Sequence, residues 1–485
     1  MNASPQAATA RDLTHRQTQL VVLGVLLPVF MGSLDNTILA SALPTIGREF
    51  GDVHNLPWLI TAYLIANTAV TPLYGKISDI HGRRISLLIA VSLYMAGSLV
   101  CALAPNMFVL ILGRILHGLG GGGLTATGMV VLGDVAAPRD RGRYYGYFSL
   151  TYTTAGACGP ALGGFLAEYL HWSVIFWLNI PLGLLAIVMT FTLLRRLPRH
   201  ERPHRLDFIG AALVMAAAVS FMLALNLGSV RYPWTSPPIL SLFAISLAVG
   251  IGFVWRLATA PEPLIPLSIL SDPIARCAIA ANAFGWGSIV ALNIFLPMYL
   301  QSVLGLAATS AGLSLMVLMV TLNTSAALAS GIMVRAHRYK IVPMLGLMLA
   351  IASVLALAWQ AENLNLWWFE VLLALIGLGF GATPPLASTT LQNTVAIHNF
   401  GTAVGTMQFT RGLFSTILIA LCGTLVLIGT TVLGPNTPAD FSPSAIYNAG
   451  GFVRVFFMAA ASLAAALVCL ALLEEKPLQT SQISS

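Results

Sequence analysis

GKISDIHGRR, residues 75–84, lies between two long apolar segments of the chain. Only 8% of the 485 residues are charged, but this stretch contains Lys76, Asp79, Arg83 and Arg84. Such a cluster indicates a turn that lies outside the apolar interior of a membrane. Basic residues in short loops of membrane proteins stay on the cytoplasmic side. We therefore predict that this stretch forms a tight, Gly-bracketed loop between two membrane spans, at the cytoplasmic surface.

The composition is typical of a polytopic membrane protein. Hydrophobic residues make up 57% of the chain, whereas a soluble domain has about 45–50% apolar and about 25% charged residues. The net charge of +7 is explained by basic cytoplasmic loops rather than by nucleic-acid binding. The five cysteines lie in apolar segments and lack C-x-x-C or metal-ligand spacing, so we predict no disulfide framework, no metal site and no cofactor.

About fourteen apolar segments are long enough to cross a bilayer, because a spanning helix needs about 20 residues. They cover residues 19–43, 58–74, 85–104, 108–132, 144–167, 174–194, 208–227, 239–257, 277–302, 310–334, 341–359, 367–389, 403–432 and 452–473. Most of the 24 Lys and Arg residues then fall in every second loop. This distribution predicts an even number of spans with both termini in the cytoplasm.

A weak internal repeat divides the chain into two halves. Residues 75–85 align with residues 331–341, and the same shift places Arg114 over Glu370. Parallel halves with a central site at their interface are typical of transporters. We predict an all-α polytopic membrane protein with two six-helix halves and two extra helices inserted between them. The predicted parts are a cytoplasmic N-terminal tail (1–18), the N-terminal half (19–205), the inserted helices (206–258), the C-terminal half (259–473) and a cytoplasmic C-terminal tail (474–485).

Two opposite charges are predicted at similar depth in the membrane. At helical rise, Asp35 lies about 12 Å and Arg114 about 9 Å from the outer ends of their segments. A charge near the membrane centre costs at least about 2.5–3.5 kcal/mol, so both side chains should face a wet cavity and pair. Burial favours a neutral Asp35, whereas Arg114 or a bound cation favours the ionised form. We predict a proton or cation coupling site, with His117 as a candidate proton relay; a fixed salt bridge is the alternative.

The motifs around these residues resemble the major facilitator superfamily. Residues 34–44 are similar to the L-D-x-T-x-x-x-x-A-L-P signature of its fourteen-span drug–proton antiporters. Residues 114–118 are similar to the fourth-span R-x-x-Q-G pattern, with His117 in place of Gln. The loop pattern G-x-x-x-D-x-x-G-R-[KR] is matched at Gly75, Asp79, Gly82, Arg83 and Arg84. The resemblance implies a secondary transporter that is driven by an ion gradient.

A glycine- and proline-containing motif in the fifth segment resembles the antiporter signature G-x-x-x-G-P-x-x-G-G of the same family. The matching residues are Gly156, Gly159, Pro160, Gly163 and Gly164. A proline bends a helix, and flanking glycines permit close helix contacts. In the family this motif accompanies export rather than uptake, so the resemblance implies efflux. An ordinary proline kink is the alternative interpretation.

The loop at residues 75–84 is expected to act as a cytoplasmic gate together with Arg143. Asp79 is expected to cap or pair with Arg143 or Arg139 at the inner ends of neighbouring helices. Arg83 and Arg84 are expected to lie at the inner headgroups. In the second half, candidate residues of a substrate cavity are Trp286, Asn293, Asn323, Met407 and Arg411. Aromatic and Met surfaces suit adaptable binding of apolar cations.

The predicted function is proton-coupled efflux (antiport) of small lipophilic, cationic compounds such as drugs or antiseptics across the cell inner (plasma) membrane. A proton-linked transporter of a metabolite is the alternative. A membrane-embedded sensor or enzyme is disfavoured, because the sequence contains no nucleophile elbow, phosphate loop or metal-ligand spacing. Expected partners are a small-molecule substrate, protons and the lipid bilayer, but no nucleic acid. We expect a monomer and leave accessory efflux proteins open.

Overall fold

The computed structural model describes residues 15–475 apart from 53–54, 136–140, 195–205, 229–231, 307, 336–339, 362–364, 397–398 and 428–448. Within these residues the regular structure is α-helical. Most of the predicted N-terminal tail, nearly all of the C-terminal tail and the exit segment of the first half at residues 195–205 lie outside the described residues.

Seven helices form the six rods of the first half. They are α1 (His15–Phe50), α2 (Leu56–His81), α3 (Arg83–Ala102), α4 (Met107–Val135), α5 (Arg141–Tyr169), α6 (Val174–Trp177) and α7 (Asn179–Leu193). The short α6 and α7 together form the sixth rod, and Pro181 stands in the first turn of α7. Proline is tolerated there because the first amides of a helix have no helical partner.

The stretch at residues 75–84 is mostly helix, so the predicted extent of the loop is wrong. Helix α2 continues through His81, and Gly82 alone links it to α3. Gly82 has a φ of 85°, which glycine adopts at little cost. The charges remain in a helix because they have protein partners: the Lys76 ammonium group, for example, donates to the carbonyl of Pro263 at 3.4 Å.

An inserted pair and a second set of helices complete the chain. The pair is α8 (Phe208–Leu227) and α9 (Pro237–Thr259), and the second half comprises α10 (Leu267–Ser271), α11 (Pro273–Ser302), α12 (Ala308–Arg335), α13 (Ile341–Gln360), α14 (Leu366–Gly381), α15 (Thr383–Thr394), α16 (Phe400–Leu427) and α17 (Ala449–Leu472). Asp272 caps α11 by accepting from the amides of Ile274 and Ala275 at 2.8 and 2.9 Å. Helices α14 and α15 form one rod that is interrupted next to Pro384.

Thirteen stretches of the described chain are long and apolar enough to cross a membrane. Helix α5 is not among them, because its Thr, Tyr, Ser and Gly residues lower its hydropathy. It has 29 residues and packs against α1 and α12, so it adds a fourteenth rod. The predicted all-α polytopic architecture, with two six-helix halves and an inserted pair, is confirmed.

The packing of the helices repeats between the halves. Helix α1 contacts α5 and α7, and α11 contacts α16 and α17 in the same way. Helix α4 packs on α2 and α3, as α14 packs on α12 and α13. The two halves meet where α2 contacts α16 and where α5 contacts α12. Helix α8 touches both α2 and α16, so the inserted pair lies beside this junction.

We define the basic end of the bundle as the end that carries the Gly82 turn. The contact between α2 and α16 extends inward from this end. It begins where Asp79 accepts hydrogen bonds from Gly401 and reaches the point where Gly412 packs against Thr68. The two halves are therefore closed against each other over the basic end of the bundle.

Candidate functional site

Asp35 and Arg114 form an ion pair in the interior of the first half. Their residues are 2% and 1% exposed. One terminal nitrogen of the guanidinium group, Nη1, lies 2.9 and 2.8 Å from the two carboxylate oxygens, and Nε donates to the carbonyl of Leu59 at 2.8 Å. The structure thus brings together the two charges that the sequence places at similar depth. Their role in coupling stays a prediction.

His117 is the third member of this network. Its Nδ1 atom lies 2.8 Å from Nη1 of Arg114 and 3.6 Å from a carboxylate oxygen of Asp35. A guanidinium nitrogen can only donate a hydrogen bond, so Nδ1 is the acceptor and the imidazole is neutral with its proton on Nε2. That Nε2 atom is buried and has no hydrogen-bond partner among the described residues. A proton relay through His117 would first require this arrangement to change.

Two tyrosine rings enclose the network. The ring of Tyr63 lies 4.3 Å from the guanidinium carbon of Arg114, and the ring of Tyr94 lies 3.9 Å from that of His117. The glycines of α4 allow this approach: Gly120 faces the backbone of Tyr94. Small residues bring helix backbones close together in a membrane. Neither tyrosine was predicted as a site residue, although polar aromatic residues inside aliphatic segments were an available signal.

The chemistry of the network follows from its burial. A buried ion pair is held together strongly, and removal of one partner leaves an uncompensated charge that costs about 3–5 kcal/mol. Protonation of the Asp35 carboxylate would neutralise one charge of the pair and weaken its attraction for Arg114. The arrangement can therefore couple a proton to a change in the contact between α1 and α4.

The motif of α5 packs directly beside this pair. A side chain at Gly159 would collide with Thr37, and one at Gly163 would collide with the backbone of Ile38. The hydroxyl of Thr37 also donates to the carbonyl of Ala155 on α5 at 3.1 Å. At Gly156 and Gly164, in contrast, no atom of another described element lies within 4 Å of an added Cβ. Gly159 and Gly163 of the motif thus allow α5 to pack closely against α1. The side chain of Pro160 is not among the described side chains.

At the basic end, Asp79 joins the two halves. Its carboxylate accepts from the amides of Gly401 and Thr402 at 2.9 and 2.7 Å and from the Thr402 hydroxyl at 2.8 Å. It also pairs with Arg83 at 3.2 Å. The partners of Asp79 are therefore the first turn of α16 and Arg83. Arg139 and the side chain of Arg143, which we predicted as its partners, lie outside the described residues.

The predicted position of Arg83 at the headgroups is wrong. This residue is 4% exposed. Its side chain donates to the Asp134 carboxylate, through Nη2 at 3.3 Å and through Nε, and to the carbonyl of Ser78 at 2.9 Å. Arginine is buried here because two carboxylates compensate its charge. Arg84 has a different neighbour: its guanidinium carbon lies 4.1 Å from the centre of the Phe191 ring. Its predicted position at the headgroups stays a prediction.

The five candidates of the second half separate into distinct environments. The guanidinium carbon of Arg411 lies 4.9 Å from the centre of the Trp286 ring. Asn293 and Asn323 each donate to the carbonyl four residues earlier in their own helix, at 2.9 and 2.8 Å. Met407 is 3% exposed and packs in an apolar cluster with residues of α11 and α15, and its place in a substrate cavity stays a prediction.

Comparison with known proteins supports the same architecture. Multidrug transporter protein MdtP of Bacillus subtilis is 29% identical over 415 residues, which cover 84% of this chain and 75% of the relative. Multidrug resistance protein 3 of the same organism is 29% identical over 409 residues, covering 84% and 79%. The human organic anion transporter MFSD10 (TETRAN) has a similar fold, with a TM-score of 0.67 at 16% identity over 94% of this chain and 99% of the other.

The family assignment rests on most of the chain. The sequence profile of the Major Facilitator Superfamily matches residues 25–420, which include the Asp35–Arg114 pair, the α5 motif and the contact between α2 and α16. The fold and the helix repeat agree with this match. The chain therefore belongs to the Major Facilitator Superfamily and is a multi-pass membrane transporter.

Proposed function

We propose that this transporter exports small lipophilic compounds in exchange for protons and that Asp35 carries the proton. The observation that carries the proposal is the buried pair of Asp35 and Arg114, with both carboxylate oxygens engaged by one nitrogen. Protonation of Asp35 removes half of this pair, and deprotonation restores it. Coupling follows if the pair is intact in one arrangement of the helices and broken in the other.

Export as the direction of transport is supported by the names of two relatives, and a link between helix movement and Asp35 is supported by the packing of α5. The relatives MdtP and multidrug resistance protein 3 are named for multidrug transport and resistance. In addition, the α5 motif contacts α1 at Thr37 and Ile38, within one helical turn of Asp35. Helix α5 also contacts α12 of the second half. A movement of α5 against the second half would therefore change the surroundings of Asp35.

We further propose that the basic end faces the cytoplasm of a cell with an inner (plasma) membrane and that both termini lie on that side. The clustering of Lys and Arg in alternate loops supports this orientation. The described conformation is then closed toward the cytoplasm. Such a state is the one in which substrate leaves to the outside and a proton enters.

The charge of the substrate is a separate question. We predicted a cationic compound, which would need an available carboxylate or aromatic face. Both oxygens of Asp35 are engaged by Arg114, and Arg411 lies against the ring of Trp286. A test of the proposed function should therefore use cationic, neutral and anionic lipophilic probes together.

Purified protein in proteoliposomes provides the test. An imposed proton gradient should drive probe transport by the wild type, and an uncoupler should stop it. Asp35→Asn should lose the response to the gradient, while Asp35→Glu, which keeps a carboxyl group, should retain part of it. Glu49→Gln is the matched control, because Glu49 lies on the same helix but near its exposed end. Gradient-driven transport that is equal in Asp35→Asn and wild type would contradict the proposal.

A further inference from the structure

Arg411 lies in the membrane-spanning part of α16 without a carboxylate partner among the described residues. Its neighbour Gly412 packs against Thr68, so Arg411 stands at the inner limit of the closed contact between α2 and α16. The guanidinium carbon lies 4.9 Å from the centre of the Trp286 ring, and the group is within electrostatic range of the Tyr152 hydroxyl. An unpaired arginine inside a membrane protein is costly and usually belongs to a functional site.

Hydroxyl groups of the other half lie in the neighbourhood of this arginine. Tyr152 lies on α5, and its hydroxyl is close to those of Thr125 and Ser33. The Tyr152 and Ser33 hydroxyls are buried and have no partner with hydrogen-bond geometry in the described part of the chain. A buried polar group without a partner is destabilising. An anionic acceptor could be shared by these hydroxyl donors and the positive charge of Arg411.

Aromatic rings form the apolar side of the same region. The ring of Trp286 lies 5.7 Å from that of Phe380, and the ring of Phe284 lies 4.6 Å from that of Phe414 in an edge-on arrangement. Phe414 follows Arg411 by three residues, which places both on one side of α16. Aromatic rings in such clusters offer faces and edges to a further ring.

We infer that Arg411, Tyr152 and Ser33 form a binding site for the carboxylate of a lipophilic aromatic acid, whose ring packs against Trp286 and its aromatic neighbours. The inference names the substrate class of the proposed exporter. Transport of this substrate rests on the proposed function, whereas its binding does not. Charge-assisted hydrogen bonds from arginine to a carboxylate are short and strong. The inferred substrate is an anion, whereas we predicted a cation. The carboxylate that we expected to bind a cation, Asp35, is already paired with Arg114.

Export of such an anion fits the exchange for protons. An entering proton and a leaving anion both move positive charge inward, so an inside-negative membrane potential would assist transport. Residues of both halves contribute to the site, since Arg411 and Trp286 belong to the second half and Tyr152 and Ser33 to the first. Binding of the carboxylate therefore depends on how the halves are arranged.

The test compares three probes that share one naphthalene ring: naphthoate, naphthylmethanol and naphthylmethylammonium. Their affinities for the full chain in lipid nanodiscs are measured by titration calorimetry. The wild type should bind naphthoate at least about tenfold more tightly than naphthylmethanol, as expected for one charge-assisted interaction. Arg411→Gln should abolish this preference without changing the affinity for naphthylmethanol. Arg411→Lys should keep part of it, because the charge remains while the planar fork is lost.

Arg48→Gln is the matched control, because Arg48 is exposed near the end of α1. It should leave all three affinities unchanged. Unaltered naphthylmethanol binding shows that Arg411→Gln is folded. The inference is overturned if the wild type does not bind naphthoate, if it has no preference for naphthoate, or if the preference persists in Arg411→Gln.

Transport of the same probes separates this inference from the proposed function. If naphthoate binding depends on Arg411 but no proton gradient drives its transport, the anion site stands and proton-coupled export fails. If an Asp35-dependent gradient drives naphthylmethylammonium and Arg411→Gln has no effect on any probe, export stands and the anion site is refuted.

Discussion

Replacing Asp79 by alanine should loosen the contact that closes the basic end. The carboxylate accepts three hydrogen bonds from Gly401 and Thr402, which lie in the other half of the molecule. These groups form the first turn of α16, where backbone amides have no helical partner. Asp79 thus caps a helix across the interface between the halves, and its negative charge also complements the positive end of the α16 dipole.

The magnitude follows from the number and kind of these bonds. A hydrogen bond to a charged group contributes about 1.5–3 kcal/mol, but water and Arg83 offset part of the loss when the carboxylate is removed. We expect a net weakening of the closed contact by about 2–4 kcal/mol, which is an estimate for the three bonds after this offset. That corresponds to a roughly 30- to 1,000-fold shift toward separation of the halves.

Hydrogen–deuterium exchange of the α16 N-terminus measures this shift. The amides of Gly401 and Thr402 should exchange roughly 30- to 1,000-fold faster in Asp79→Ala, because they lose their acceptor. Asp134→Asn is the matched control: Asp134 pairs with Arg83 inside the first half. It should change the exchange of these amides much less than Asp79→Ala does.

Two outcomes would refute this reasoning. Unchanged exchange at Gly401 and Thr402 in a folded Asp79→Ala protein would mean that the cap does not hold the halves together. Equal acceleration in Asp134→Asn would mean that the effect is a general loosening of the basic end rather than the loss of one acceptor.

Four further substitutions test local structure by thermal unfolding in detergent. Gly159→Ala should lower stability by about 1–3 kcal/mol, because its Cβ would meet Thr37, whereas Gly156→Ala should be tolerated; equal effects would contradict the α1–α5 contact. Gly82→Ala should cost about 1–3 kcal/mol, since φ is 85° and ψ is 157° there, a combination that is essentially restricted to glycine, and an unchanged Tm would contradict the turn. Asp272→Ala should cost about 1 kcal/mol through loss of the α11 cap, and no loss would argue against that cap.

The number and approximate position of the membrane rods could be predicted from the sequence. Apolar segments of about 20 residues are detected locally, since each is matched to the thickness of the bilayer. The pairing of Asp35 with Arg114 could also be anticipated, because two opposite charges at similar depth in a low-dielectric layer must find each other or water. The ends of α2 could not be predicted: the charged residues after Tyr74 stay helical because their partners lie on distant segments.

The surroundings of the candidate residues depended on contacts that no local pattern contains. Met407 looks like a cavity residue by type, but the helices around it bury it in an apolar cluster. Arg83 looks like a membrane-surface anchor, but Asp79 and Asp134 surround it. Residue type alone did not indicate which of these neighbours would be present.

The sequence by itself determined that this chain is a helical membrane protein with two related halves, because hydropathy and repeat spacing are properties of consecutive residues. The tertiary structure decided which charges have partners. Asp79 is satisfied by the start of α16, more than 300 residues away, and Arg411 lies against the ring of Trp286, with no carboxylate partner in the described part of the chain. The physical reason is that electrostatic interactions act through space between helices, so their outcome is settled only when the two halves are packed together.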